Sequence, residues 1–484
     1  MTRLRTLSLA IVLGLGAASS ANATDLLEAY QAARMSDPQL SQADAERLAT
    51  GENVPLARSA LLPQVGGSAT LTESDSDSYS AGTVEGEILG TDSSSVIRQR
   101  DYAVSLEQSI FDWADWTSLR AARERATQAD FEYEAEADAL FVRTAEAYFN
   151  VLTAIETLAS ARAQEQAVKR QLDQAEQRLE VGLAPITDVH EAQAGYDSAR
   201  ASAILAQTQL NDAYEALTEI TGQQTEDLRG LDPDYEPAAP VPEDVDAWVD
   251  QALTGNPSIQ AAELAASAAE HDIDTARAGH LPTLTASVSY GKGASWGTQT
   301  LATGDRMIDT ANDGTTVGVR LNVPIFSGGA VRARVRQAGY QRDAVLDLLE
   351  QTRRSINRST RSIYDAVVAG ISEVEARRAA VVSARSAYDA SEAGLEVGTR
   401  TIVEVLITQQ NLFAAQREYA AARHNFLVNT LRLKQATGTI AYEDIAAINR
   451  LLTTDAEAAL DPEAIKESAT PDMGVPPATI PRND

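Results

Sequence analysis

The sequence predicts a mainly α protein with a small β part: long coiled-coil helical hairpins carrying four transmembrane β-strands per chain, in an internally duplicated plan. Three observations predict it. Landmarks recur at a period of roughly 217 residues, far longer than a solenoid unit: Pro38 and Pro257, Pro63 and Pro282, Phe111 and Phe326, Gly182 and Gly398, and Thr221 and Thr437 are the matching pairs. A stretch from Asp112 to Val181 contains neither Gly nor Pro and is rich in Ala, Glu, Gln, Arg and Leu. Between the proline landmark and the long helix, each copy changes from helical periodicity to alternation of apolar and small polar residues.

The N-terminus, residues 1–23, reads as a secretory signal. Arg3 and Arg5 form a positive start, Leu7 to Ala18 is apolar, and Ala21-Asn22-Ala23 is a small-x-small cleavage site, so a mature chain beginning at Thr24 is expected. The first repeat, 24–226, opens with helix and then strands. Val65, Gly67, Ala69 and Leu71, and later Tyr102, Val104, Leu106 and Ile110, mark their apolar face, and the Ser/Asp/Gly-rich run near Glu73 to Ser95 reads as an exposed mobile loop.

The Gly- and Pro-free stretch would extend roughly 105 Å as a helix at about 1.5 Å per residue. Phe141, Ala145, Tyr148, Leu152, Ile155 and Ala159 supply a coiled-coil seam. The chain then turns at Val181-Gly182-Leu183-Ala184-Pro185, where Gly suits the residue just past a helix end and Pro the first turn of the next. Val189, Tyr196, Ala203, Leu210 and Leu217 carry a seven-residue repeat back along the partner. Residues 227–246, with four prolines, form an irregular bridge.

The second repeat, 247–440, runs through the same parts. Leu284, Ala286, Val288 and Tyr290, then Val317, Val319, Leu321, Val323 and Ile325, alternate with polar residues, and Gly291 to Gly314 reads as the second loop. The matching long helix carries Gly339, Gly370 and Gly394, positions for bending or close packing. Val405, Leu412, Tyr419, Phe426 and Leu433 repeat the heptad. Residues 441–484 are expected to hold a closing segment and, after Thr453, a disordered tail.

Four strands cannot close a barrel, and an open sheet edge does not survive in lipid. The chain must therefore oligomerise, and a trimer would supply twelve strands. No run of 18 apolar residues follows the signal, which argues against a helical membrane span. The formal charge of -30 disfavours nucleic acid and anionic lipid surfaces, and the absence of Cys leaves neither disulfides nor a lipidation site. His190, His271, His280 and His424 lack metal-ligand spacing, so neither an enzyme nor a metal or other cofactor is expected.

These residues resemble the TolC family of outer-membrane efflux proteins over almost all of the chain past the signal. The resemblance rests on Val181-Gly182-Leu183 with Ile186-Thr187-Asp188-Val189, on Val397-Gly398-Thr399-Arg400-Thr401-Ile402-Val403-Glu404, on Phe111-Asp112-Trp113, and on Arg423-His424-Asn425-Phe426. It implies a homotrimeric channel-tunnel in the outer membrane and periplasm: a 12-stranded transmembrane β-barrel set in lipid and continued by an α-helical barrel. A periplasmic membrane-fusion adaptor and an inner-membrane pump of RND, MFS or ABC type would be the partners, exporting drugs, toxic compounds or proteins. It further implies a periplasmic gate of Thr187, Asp188, Arg400 and Glu404, adaptor contacts at Gly182, Leu183, Gly398 and Thr399, and interface anchors at Phe111, Trp113 and Phe326. Two positions depart from the family pattern, Leu395 for a tyrosine of the latch and Ile407 for a second acid. Trp116 is expected to pack in the helical core. The competing readings are a periplasmic coiled-coil scaffold or adaptor, which needs no alternating strands, and a passive porin, which needs no long helices.

Overall fold

In the computed structural model, residues 24–84, 87–225, 227–301, 303–461 and 463 are described, so the signal-like segment and most of the expected tail lie outside them. The first half runs α1 (Leu26–Ser36), α2 (Pro38–Gly51), α3 (Asn53–Ser59), β1 (Gln64–Val84), β2 (Glu87–Phe111), α4 (Trp113–Glu180) and α5 (Ile186–Thr221). The second runs β3 (Arg229–Leu231), α6 (Val245–Gly255), α7 (Pro257–Ala278), β4 (Thr283–Leu301), β5 (Gly304–Asn322), α8 (Ala330–Glu396), α9 (Ile402–Ala436), α10 (Tyr442–Asn449) and β6 (Leu452–Asp455). The landmark prolines open α2 and α7, where a fixed φ and a missing N–H do no harm. Each is preceded by a capping side chain: Asp37 Oδ2 accepts from Leu40 N at 2.9 Å, and Asn256 Oδ1 accepts from Ser258 N at 2.9 Å.

The chain divides into two compact units, Gln42–Glu136 with Leu253–Arg358 forming one, and the described residues up to Ser41, Ala137–Ala252 and those from Ser359 onward forming the other. In the first of these the strands make an antiparallel sheet in the order β1-β2-β4-β5. Val65, Leu106, Val288 and Val317 fall in one row across it, and Glu73, Arg98, Trp296 and Asp309 in another row of the same face. The expected Ser/Asp/Gly-rich loops are strand instead. The four strands run 21, 25, 19 and 19 residues, about twice the 9–11 that a bilayer requires. Backbone pairing is indifferent to side-chain polarity, so the ladder propagates beyond the apolar rows. Hydroxyl pairs reinforce it at Ser76–Ser95 (2.9 Å), Ser78–Ser93 (2.8 Å) and Ser295–Thr310 (2.8 Å), as does the Arg98–Glu73 ion pair (2.9 Å). Beside the sheet, Ile259 and Ala266 of α7 pack on Leu349 of α8.

The second unit holds most of α4 and α8 together with α1, α5, α9, α10, β3, β6 and most of α6. Tyr148 is fully buried, and its hydroxyl lies 2.7 Å from Arg229 O and 3.1 Å from Thr24 O. Its seam neighbours Ala145, Leu152 and Ile155 are buried with it, whereas Phe141 is half-buried and stacks on Tyr30 at 4.3 Å. Two expectations are corrected here. The bridge 227–246 contains β3, and the described residues that follow Thr453 are held in place, because β6 pairs with β3 and Glu457 accepts hydrogen bonds from Tyr214 Oη and Leu228 N. The glycines of α8 also divide by role. Gly370 leaves room for Phe426, whose Cδ2 would lie 3.1 Å from an added Cβ, whereas Gly339 faces open space.

His424 is buried between α9 and α4. Thr153 Oγ1 donates to Phe149 O at 2.8 Å, so it accepts from His424 Nδ1–H, also at 2.8 Å. Nε2 is left unprotonated, 3.8 Å from Glu156 Oε1. Burial, with Arg423 beside it, pushes the imidazole pKa from 6.5 down to about 3. An unfolded chain takes up this proton below 6.5 while the folded chain stays neutral, so the stabilisation is present above 6.5 and is lost as pH falls toward 3. Burial raises the neighbouring Glu156 carboxyl from 4.5 to about 7, which opposes this loss between 7 and 4.5. Thermal midpoints measured at a series of acidic pH values should therefore fall below 4.5, and His424→Gln should flatten that part of the slope.

Candidate gate at the hairpin tips

Both hairpins of the helical unit end on a glycine in the left-handed region, Gly182 with φ +73 and Gly398 with φ +74. An L side chain would be strained at either, and no atom lies within 4 Å of where its Cβ would stand. The turns close by backbone hydrogen bonds, Leu183 N to Arg178 O at 2.8 Å and Thr399 N to Gly394 O at 2.8 Å. The four sequence-read tip residues, Gly182, Leu183, Gly398 and Thr399, are all exposed, and Leu183 keeps 79% of its surface. Around them Val181, Ile186 and Val397 are exposed as well. Pro185 stands one residue before its expected place, as the residue that caps α5 and not in its first turn.

Beyond the second tip, Thr401 and Glu404 form a capping box: Glu404 N donates to Thr401 Oγ1 (3.3 Å) and Thr401 N to Glu404 Oε2 (3.2 Å). Arg400 Nη1 reaches the same carboxylate oxygen at 3.5 Å. The geometry therefore brings Arg400, Thr401 and Glu404 together. Gly394 makes this possible, since a Cβ there would stand 2.5 Å from Arg400 Cγ. At the first tip, Thr187 Oγ1 and Asp188 Oδ1 are 3.5 Å apart. Among the described residues no ion pair joins Asp188 to Arg400 within one chain.

The seam behind the second tip is part apolar and part polar. Leu395 packs against Tyr388, Val405 and Leu412, while Ile407 is exposed. Tyr388 Oη donates to Glu392 Oε1 at 3.2 Å, and buried Gln409 approaches the same hydroxyl at 3.5 Å. Burial, aided by the Glu392 charge, pushes the Tyr388 pKa up to about 12, and burial likewise raises Glu392. Sequence reading missed Tyr388, Glu392 and Gln409; the polar Gln409 at a position four residues after Val405 in a heptad helix was the available signal.

In the sheet unit, Phe111 stands across from Leu284 beside a register shift, Trp113 opens α4 with Arg120 5.7 Å from its ring centre, and Phe326 is 88% exposed. Trp116 is also exposed within the chain.

A family model described as outer membrane efflux protein matches residues 29–223 and 248–439. Outer membrane protein TolC of Escherichia coli (strain K12) is 37% identical over 92% of this chain and 89% of that protein. The alkaline protease secretion protein AprF of Pseudomonas aeruginosa is 28% identical over 96% and 93%. Among solved structures, the Campylobacter jejuni CmeC outer membrane channel superposes with a TM-score of 0.69 at 16% identity, covering 88% of this chain and 90% of its own.

Proposed function

Since the chain belongs to the outer membrane efflux protein family, we propose that it works as a homotrimeric duct of the outer membrane through which an inner-membrane pump, joined by a periplasmic adaptor, exports its cargo. That it is an outer-membrane efflux or secretion channel follows from the family.

The observation that carries the trimer is the four-stranded sheet whose outer strands, β1 and β5, have no strand beyond them among the described residues. Each outer strand offers a row of backbone donors and acceptors that lipid cannot satisfy. Three copies pairing β5 to β1 close twelve strands and leave no edge. A periplasmic scaffold has no use for an apolar sheet face, and α4 and α8 have none in a passive porin. The exposed Val181, Leu183 and Val397 around each glycine tip suit an apolar contact with the adaptor, whose hairpins would meet them end to end. RND, MFS and ABC pumps are all compatible with such a tip. Relatives named for protease secretion favour proteins as one cargo class beside drugs and toxic compounds.

Thr187 and Asp188 on one hairpin, and Arg400 and Glu404 on the other, are the residues through which neighbouring hairpins hold the entrance shut. Light scattering corrected for detergent should give three chains per particle of the purified protein. A monodisperse monomer that still conducts ions would defeat the trimer.

A further inference from the structure

The two faces of the sheet differ in charge in a way the family reading leaves unused. On the face that bears Val65, Leu106, Val288 and Val317, charges are frequent past the apolar rows: Lys292 with Asp313, Arg100, the Arg98–Glu73 pair and Asp309. The opposite face is nearly uncharged. One of its rows is Thr70, Asp101, Gly293 and Asn312. The two rows below are Ser68, Ala103, Gly291, Gly314 and Gly66, Ser105, Ser289, Thr316; the two above are Thr72, Gln99, Ser295, Thr310 and Ser74, Ile97, Gly297, Ile308.

Asp101 is thus the sole charge in five consecutive rows of that face. The nearest others on it, Glu107 and Arg306, are three rows away, about 20 Å at about 3.3 Å per residue and beyond the ~10 Å screening length of 0.1 M salt. Gly293 shapes the position. A Cβ on it would stand 2.7 Å from Asp101 Oδ1 and 2.8 Å from Asn312 Oδ1, so both side chains lie over the glycine from the strands on either side. Two oxygens, one from β2 and one from β5 on the two sides of β4, therefore converge on the gap left by a missing side chain, one of them charged. Asn312 adds a carbonyl dipole without adding charge.

We propose that Asp101, supported by Asn312 over Gly293, is a cation-selecting residue of the barrel lumen, at a level separate from the hairpin-tip acids. This rests on the duct reading above: the hydroxyl- and glycine-rich face lines the water-filled lumen, and trimer symmetry places three Asp101 carboxylates at one level. A ring of acid side chains in an otherwise neutral wall raises the local cation concentration and repels anions.

The test uses purified trimer in planar bilayers under a potassium chloride gradient. Asp101→Asn should lower the cation-over-anion permeability ratio about two-fold at low ionic strength, with the difference vanishing in concentrated salt as the charge is screened. The chain has no cysteine, so Asp101→Cys can be labelled with a positively charged methanethiosulfonate. Its conductance should change on labelling, whereas that of Tyr102→Cys, one residue along and on the lipid side, should not. An Asp101→Asn channel that conducts with the wild-type ratio, or an Asp101→Cys channel indifferent to the reagent, overturns the proposal and leaves the duct intact. A wild-type trimer that inserts and never conducts overturns the duct reading itself, and the proposal with it.

Discussion

Replacing Arg400 by Ser raises the closed-state conductance of the bilayer-inserted protein a few-fold and, in the same recordings, deepens block by trivalent cations added on the helical side. The first effect is expected if Arg400 makes the charge-assisted contact between neighbouring hairpins proposed above. An exposed ion pair is worth about 0.2–1 kcal/mol, and a latch of that strength sets an open-to-closed ratio within a few-fold of its value without the pair. The second effect follows from the geometry of one chain. Arg400 Nη1 lies 3.5 Å from Glu404 Oε2 and partly neutralises it. Removing the guanidinium leaves that carboxylate held by the Thr401 capping box but uncompensated, and in the proposed trimer three such groups at one level would attract multivalent cations more strongly.

Arg400→Ser combined with Glu404→Gln should therefore keep the raised conductance and lose the block. Gln serves a capping box nearly as well as Glu, so the double variant keeps the start of α9. Ile407→Asp adds a second acid one helical turn further on and should strengthen block. Arg178→Ser, in the last turn of α4, serves as the control and should change neither quantity. Unchanged conductance in Arg400→Ser over several salt concentrations would remove this arginine from the gate. Unchanged block would mean that Glu404 does not face the passage.

Tyr148→Ala lowers the stability of the helical unit by about 3–5 kcal/mol, the usual result of deleting a fully buried aromatic ring. The ring packs edge-on to Phe149 at 5.9 Å, and the hydroxyl ties α4 to the backbone of Arg229 and Thr24. Burial pushes this hydroxyl far above the ordinary tyrosine range, so it stays a donor at every working pH. Tyr148→Phe isolates the hydrogen bonding and should be worth about 1–3 kcal/mol, since buried carbonyls lose their partner. Denaturant midpoints by circular dichroism on the detergent-solubilised protein separate the two. A Phe variant as damaged as the Ala variant would assign the whole effect to the hydroxyl, and an Ala variant with the wild-type midpoint would deny this ring its place in the core.

Most of the helical plan was legible because its causes are local. Absence of Gly and Pro from 112–181 fixes one uninterrupted helix, and α4 runs from Trp113 to Glu180. Gly182 and Gly398 end the helices for a reason present in their own backbones, a positive φ that other residues resist. The strand ends were less legible. Ser, Asp and Gly runs have the composition of loops, and nothing within one strand says that a matching run of serines will stand opposite, as Ser76 and Ser78 meet Ser95 and Ser93. Around the second tip the residue types were legible and their partners were not, since Arg400 meets Glu404 only because Gly394 is small where the arginine stem crosses it.

The sequence by itself determined the duplication, the helix-strand-strand-helix-helix order of each copy and the positions of both tips, because periodicity and backbone preference act within a few residues. Only the tertiary structure decided how far the sheet extends, that β6 closes on β3, which glycines of α8 admit a neighbour, and that Asp101 and Asn312 both reach over Gly293. Each of these depends on which residue of a distant segment arrives opposite. Pairing register and close packing between segments set that, and no local preference encodes it.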